Sequence, residues 1–171
     1  MWSRYLVAIK EIKMGYVTIR TLTYGKNWVS FDIESQGLYK IHCLSGVPIE
    51  SLDKILQVCI TDKNFILLTE DRDFRDGALT APWVKDDRST NNVWVYDING
   101  TLLWNIGSIV GDIKMAFDGI GCAFKSEAEL EYGHKFPSAS EVLLIGIAAG
   151  LTFIIDVDNK TLLAKIPGMV K

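Results

Sequence analysis

Val93-Trp94-Val95-Tyr96-Asp97-Ile98-Asn99-Gly100-Thr101-Leu102-Leu103-Trp104 reads as two short strands joined by a tight turn. Branched and aromatic side chains suit a pleated, half-buried surface, and Asn-Gly between apolar runs is a strong hairpin signal. The pattern occurs twice more. Trp28-Val29-Ser30-Phe31-Asp32-Ile33 leads into Leu38-Tyr39-Lys40-Ile41, and Leu151-Thr152-Phe153-Ile154-Ile155-Asp156-Val157 leads into Leu162-Leu163-Ala164-Lys165-Ile166. The closing aspartates, Asp32, Asp97 and Asp156, lie 65 and then 59 residues apart. Self-similarity at such a period sets the architecture, because each repeat is one supersecondary unit.

Working outward from these hairpins gives an all-β, antiparallel chain with repeats at about 5–47, 55–107 and 113–167, together one β domain over 1–171. The expected strands of the first repeat are Tyr5–Ile12, Tyr16–Tyr24, Trp28–Ile33 and Leu38–Cys43. Those of the second are Ile55–Thr61, Phe65–Glu70, Asn92–Ile98 and Thr101–Ile106. The third is less regular: Ile113–Phe117, Gly121–Lys125, a run Glu141–Asp156 folded back at Ala149-Gly150, and Thr161–Ile166. Asp62-Lys63-Asn64, Asp118-Gly119 and Asp158-Asn159 supply turns. Pro48 followed by Ile49, Leu52 and Ile55-Leu56 at helical spacing predicts one short helical turn near 48–56.

Four antiparallel strands per repeat, with Asp closing the third, resemble the blade of a β-propeller. The hairpin at Val95–Trp104 and the segment Ile145–Asp156 carry the likeness. The Trp-Asp signature of one large propeller class is absent. Propellers close with about four to eight blades, so three repeats imply an incomplete propeller, a homodimer in which three blades meet three more, or a plain β-sandwich.

The totals exclude several functions. A net charge of −3 with no run of five like charges argues against nucleic acid, which requires a basic face. The longest apolar stretch, Val142 to Ile155, is shorter than the ~20 residues of a spanning helix, so no membrane role is expected. Tyr5 to Ile9 is too short an apolar run for a secretory leader. Cys43, Cys59 and Cys122 are odd in number and set in apolar runs, as expected of reduced, buried thiols in a cytoplasmic protein.

No catalytic, cofactor or metal constellation emerges. Asp71-Arg72-Asp73-Phe74-Arg75-Asp76-Gly77 would place Arg75 where a calcium loop requires an oxygen ligand. His42 and Cys43 are strand neighbours and point to opposite faces. His134 has no partner at metal or triad spacing. The repetition of Asp32, Asp97 and Asp156 suits a turn role better than a catalytic one.

Function is therefore sought in two long connections, 71–91 and 126–140, each longer than an ordinary connecting loop. Both are read as joining the second and third strands of a repeat, which would bring them to one rim. Asp73, Phe74, Asp76, Trp83, Asp86 and Asp87 in the first, with Glu129, Glu131, Tyr132, His134 and Phe136 in the second, combine acidity with aromatic anchors. Interface hot spots favour such aromatics in a polar surround. The simpler account of Phe74, Trp83 and Phe136 is that they pin the loops to the body. The expectation is a non-enzymatic, cofactor-free protein-binding module whose partner is basic, such as a nuclease-like toxin. In size and composition the chain is similar to small bacterial immunity proteins. The competing expectation is a small-molecule binder or hydrolase with His134 and nearby carboxylates at a central opening.

Overall fold

A computed structural model of the chain describes residues 7–14, 17–32, 39–51, 53–70, 92–110 and 116–168. They form three antiparallel sheets, each a simple meander in chain order. The first holds β1 (Ala8–Met14), β2 (Val17–Tyr24), β3 (Asn27–Asp32), β4 (Tyr39–Cys43) and β5 (Ile49–Ser51). The second holds β6 (Ile55–Ile60), β7 (Asn64–Thr69), β8 (Val93–Asp97) and β9 (Leu102–Asn105), followed by a helical turn α1 (Gly107–Val110). The third holds β10 (Gly119–Phe124), β11 (Val142–Ala148), β12 (Leu151–Asp156) and β13 (Thr161–Pro167), with helix α2 (Lys125–Tyr132) between β10 and β11.

The second sheet is the middle layer, and β7 shows why. All six of its residues are buried, and the four apolar ones alternate between two cores. Phe65 and Leu67 join Leu22, Val29, Phe31 and Ile41 of the first sheet. Ile66 and Leu68 join Leu144, Phe153 and Ile155 of the third. Its neighbour β8 divides likewise, with Val93 and Val95 toward the third sheet and Trp94 and Tyr96 toward the first. A period of two therefore serves both faces at once, and each large side chain fully buried is worth about 1.5–3 kcal/mol.

The outer layers end without a further blade, so the sheets stay open. The outer face of the first sheet carries Ser30, Lys40 and His42, a solvated antiparallel face of ordinary kind. The outer face of the third sheet is apolar and is capped from within the chain. Ala123, Leu143, Ile145 and Ile154 are covered by Ala128 of α2 and by Phe136 in the segment that follows it. One polar outer face and one capped face close off a stack of three, as terminal repeats do in solenoids.

Three expectations are corrected. Among the described residues no helical turn forms at 48–56: Ile49–Ser51 is an edge strand pairing with Tyr39–Ile41, because half-buried Ile49 extends the apolar row begun by Ile41. Among the described residues the third sheet does not begin within Ile113–Phe117. Among the described residues Ala116 and Phe117 lie outside any strand, and the sheet starts at Gly119, so Val142–Ala148 is its second strand rather than an extra one. The Phe117 ring instead fills the space above Gly146, where an added Cβ would lie 2.5 Å from Cε1. Segment 126–140 is not wholly loop. Lys125–Tyr132 is helical, since Glu, Ala and Leu are good helix formers and Gly133 stops the run in a left-handed conformation.

The apolar stretch Val142–Ile155 is the hairpin β11–β12, turned at Ala149-Gly150 with both residues at positive φ. Among the described residues no helix is long and apolar enough to cross a membrane.

A candidate binding face

One end of the molecule gathers turns from all three sheets. Between β6 and β7, the Thr61 hydroxyl accepts the N–H groups of Lys63 (3.2 Å) and Asn64 (2.9 Å), which folds the turn back on itself. Asn27, opening β3, donates from Nδ2 to the carbonyls of Asp62 (2.7 Å) and Thr61 (3.2 Å) and so ties in the first sheet. Asp158, in the β12–β13 turn, accepts from Lys63 Nζ (2.8 Å) and Asn64 Nδ2 (3.3 Å) and ties in the third. The hydrogen bond and charge of Asp158 raise the Lys63 ammonium above its ordinary value. Exposed ion pairs of this kind contribute little to stability and more to orientation.

Between these turns and the β10–β11 excursion lies a cleft of about 290 Å³. Ile66, Cys122, Leu144 and Val157 form an apolar floor, and Asp62, Lys63, Glu141 and Asp158 stand among its lining residues.

Beside the cleft the excursion 125–141 is built as a rigid feature. The Glu141 carbonyl accepts the Lys125 N–H at 2.7 Å, which satisfies one of the unpaired donors at the start of α2. Glu129 Oε1 accepts the Phe136 N–H at 2.7 Å while Oε2 receives Lys135 Nζ at 3.3 Å, and the Phe136 bond foremost holds the Glu129 carboxyl below its ordinary value. At the return, buried Asp156 accepts the Ser140 N–H (2.8 Å) and both the amide Nδ2 (2.8 Å) and backbone N–H (3.2 Å) of Asn159. Burial alone would raise the Asp156 carboxyl, but these donors outweigh it and leave it below the usual range. Asp97 plays the equivalent part in the second sheet, capping the N–H groups of Asn99 and Thr101. The repeated aspartates Asp97 and Asp156 are thus turn-formers.

The expected contact residues of this segment separate into two groups. Phe136 is buried at 7% exposure and anchors the loop to the third sheet. Tyr132 packs beside it, and desolvation, with a smaller effect of Glu131, pushes its phenol up to about 12. Glu129 is occupied internally. Glu131 and His134 are exposed, with His134 stacked at 6.3 Å against Phe136 and away from the cleft lining. The residue not anticipated is Leu130, 86% exposed on α2 and set among Glu127, Glu129 and Glu131. Its signal was an isolated apolar residue in an acidic, helix-forming run.

Asp73, Phe74, Asp76, Trp83, Asp86 and Asp87 lie outside the described residues. The described residues at the roots of their segment correct the expectation of a shared rim. Glu70 and Asn92 lie at the end of the second sheet opposite the Thr61–Asn64 turn. Asn92 also bonds Phe117, just before β10, whereas 125–141 leaves from the far end of β10. The two excursions are rooted at opposite ends. The reason is strand count: the first joins second to third strand and the other joins first to second.

Among the described residues no group of three or more His, Cys, Asp or Glu side chains is placed to hold a metal ion. No family model, no curated protein and no solved structure matches the chain.

Proposed function

We propose that this chain is a non-enzymatic, cytoplasmic protein-binding module of the inhibitor or immunity type, and that α2 with its following segment is the contact face. The observation that carries the reading is Leu130. A leucine 86% exposed stands on a helix held to the third sheet by Ala128 and, through the Glu129–Phe136 bond, by the segment that follows. A rigid apolar knob on an acidic helix would give a partner an apolar centre with a polar surround, the arrangement of a small hot spot. The surrounding Glu127 and Glu131 suit a basic partner, whose encounter they would speed and whose register they would fix. In a toxin-neutralising pair that charge complementarity would oppose the basic surface a nuclease uses for its substrate.

The experiment begins with proteins retained by the immobilised chain. The strongest is prepared pure, and its affinity is measured for the parent, Leu130→Asp, Glu131→Lys and a distant control, Lys40→Ala. The face predicts a loss of about tenfold or more for Leu130→Asp and no change for the control. Equal affinity for parent and Leu130→Asp rejects the face.

The cleft favours a second reading, a small-molecule site. Its 290 Å³ sits at the lower bound of ligand pockets, roughly 300–1,000 Å³. A ligand held there would raise the melting temperature, and a metabolite panel without such a shift would dispose of this reading.

A further inference from the structure

Two of the three cysteines meet at the seam between the second and third sheets. There β6 and β10 run side by side, and their register is pinned where Gln57 Oε1 accepts the Ile120 N–H at 2.7 Å. Two residues further along each strand, and on the same faces, come Cys59 and Cys122. Cys59 packs against the core cluster that contains Cys122, and both thiols are free. Their surroundings differ. Cys59 is part-exposed, whereas Cys122 is 7% exposed and forms part of the floor of the cleft. Cys43 sits apart in the other core, beside Ser45 and Gly100.

We propose that Cys59 and Cys122 are an oxidisable dithiol that closes into a disulfide across this seam on exposure to hydrogen peroxide. Cys59, the accessible partner, loses its proton and attacks one peroxide oxygen. An S–O bond forms, the O–O bond breaks, and the second oxygen leaves as water with the released proton. The Cys122 sulfur then attacks the Cys59 sulfur. The S–S bond forms, the S–O bond breaks, and the hydroxyl leaves as water with the Cys122 proton. The sum is two thiols and one peroxide giving one disulfide and two waters. The contact with Cys59 and the burial around it push the Cys122 thiol well above its ordinary value. It therefore keeps its proton until the sulfenic acid forms beside it, which fits the second role and not the first.

The full chain is treated with hydrogen peroxide, denatured in the presence of an alkylating reagent, and mapped without reduction. The expected result is a fall from three free thiols to one, with a Cys59–Cys122 linked peptide about 2 Da lighter than its parts and restored by dithiothreitol. Cys43→Ser should give the same linked peptide, and Cys122→Ala should give none while leaving a dimedone-reactive sulfenic acid on Cys59. Three retained thiols, a Cys59 oxidised beyond sulfenic acid without a link, or a link through Cys43 would each overturn the proposal. Should Cys122→Ala fail to fold, parent and Cys43→Ser decide the matter alone. None of these readings depends on whether α2 binds a partner.

Discussion

Asn92 holds the backbone of Phe117 from both sides: its Oδ1 accepts the Phe117 N–H at 3.0 Å and its Nδ2 donates to the Phe117 carbonyl at 2.9 Å. The same amide donates to the Thr69 carbonyl at 3.1 Å. One buried side chain thereby joins the exit of β7, the entry of β8 and the approach to β10, although 25 residues separate Asn92 from Phe117.

Replacing Asn92 with Ala should therefore cost about 3 kcal/mol, because it leaves buried backbone donors and acceptors without partners and admits little water to replace them. Urea unfolding gives the test. The midpoint should drop with the slope unchanged, and a loss under about 1 kcal/mol would show that the neighbouring backbone re-pairs without the amide.

Phe117 also explains a glycine. It packs edge-on against Phe153 with centroids 5.6 Å apart, and that position lays its ring directly over Gly146. Gly146→Ala should cost about 1–3 kcal/mol, the usual penalty of overpacking a filled core. Phe117→Leu alone should also destabilise, but the double variant should lose less than the sum of the two. The coupling should be about 1 kcal/mol in a double-mutant cycle. Strict additivity would mean that the ring moves aside at no cost.

How far the sequence reveals this fold depends on the range of the interaction involved. Hairpins were legible because turn chemistry and alternation are local. Asn99-Gly100 and Ala149-Gly150 turn where expected, and seven of the eight strands expected of the first two repeats reappear within about two residues; the exception, Tyr5–Ile12, overlaps β1, which begins and ends later. The blade register was not legible in the third repeat, because it depends on Phe117 being held by a distant Asn92 rather than on the residues around it. Ile49 is ambiguous in sequence for a related reason: the residues beside Pro48 fit either a helical turn or an edge strand, and only the row begun by Ile41 decides between them. The face was half legible. Acidity and aromatics pointed to 126–140, but which of those side chains remain exposed depends on what the third sheet needs covered.

Asp156 makes stability depend on pH in a definite direction. Its carboxyl titrates below the usual range in the folded chain, so the folded state binds fewer protons than the unfolded one through the acid region. Its contribution is complete above the unfolded value of about 3.9 and disappears as pH falls through the lower folded value. Asp156→Asn should cost about 2 kcal/mol at pH 7, since an amide cannot accept from every donor that faces it. Relative to the parent, the deficit should shrink below about pH 4 as the parent's carboxyl protonates. Urea midpoints of the two proteins at pH 7 and pH 3 provide the comparison, and a deficit that is the same at both would remove Asp156 from the acid response.

Leu130 and Phe136 lie six residues apart and should respond oppositely. Phe136 is inserted among Leu143, Ile145 and Ile154, so Phe136→Ala should cost about 3 kcal/mol through the cavity it opens. Leu130 touches solvent over most of its surface, and Leu130→Lys should change stability by no more than about 0.5 kcal/mol. Thermal and urea unfolding of both variants measure the contrast. If Leu130→Lys proved as damaging as Phe136→Ala, that leucine would be part of the core covering the third sheet, and α2 would lose the apolar centre on which a partner is proposed to settle.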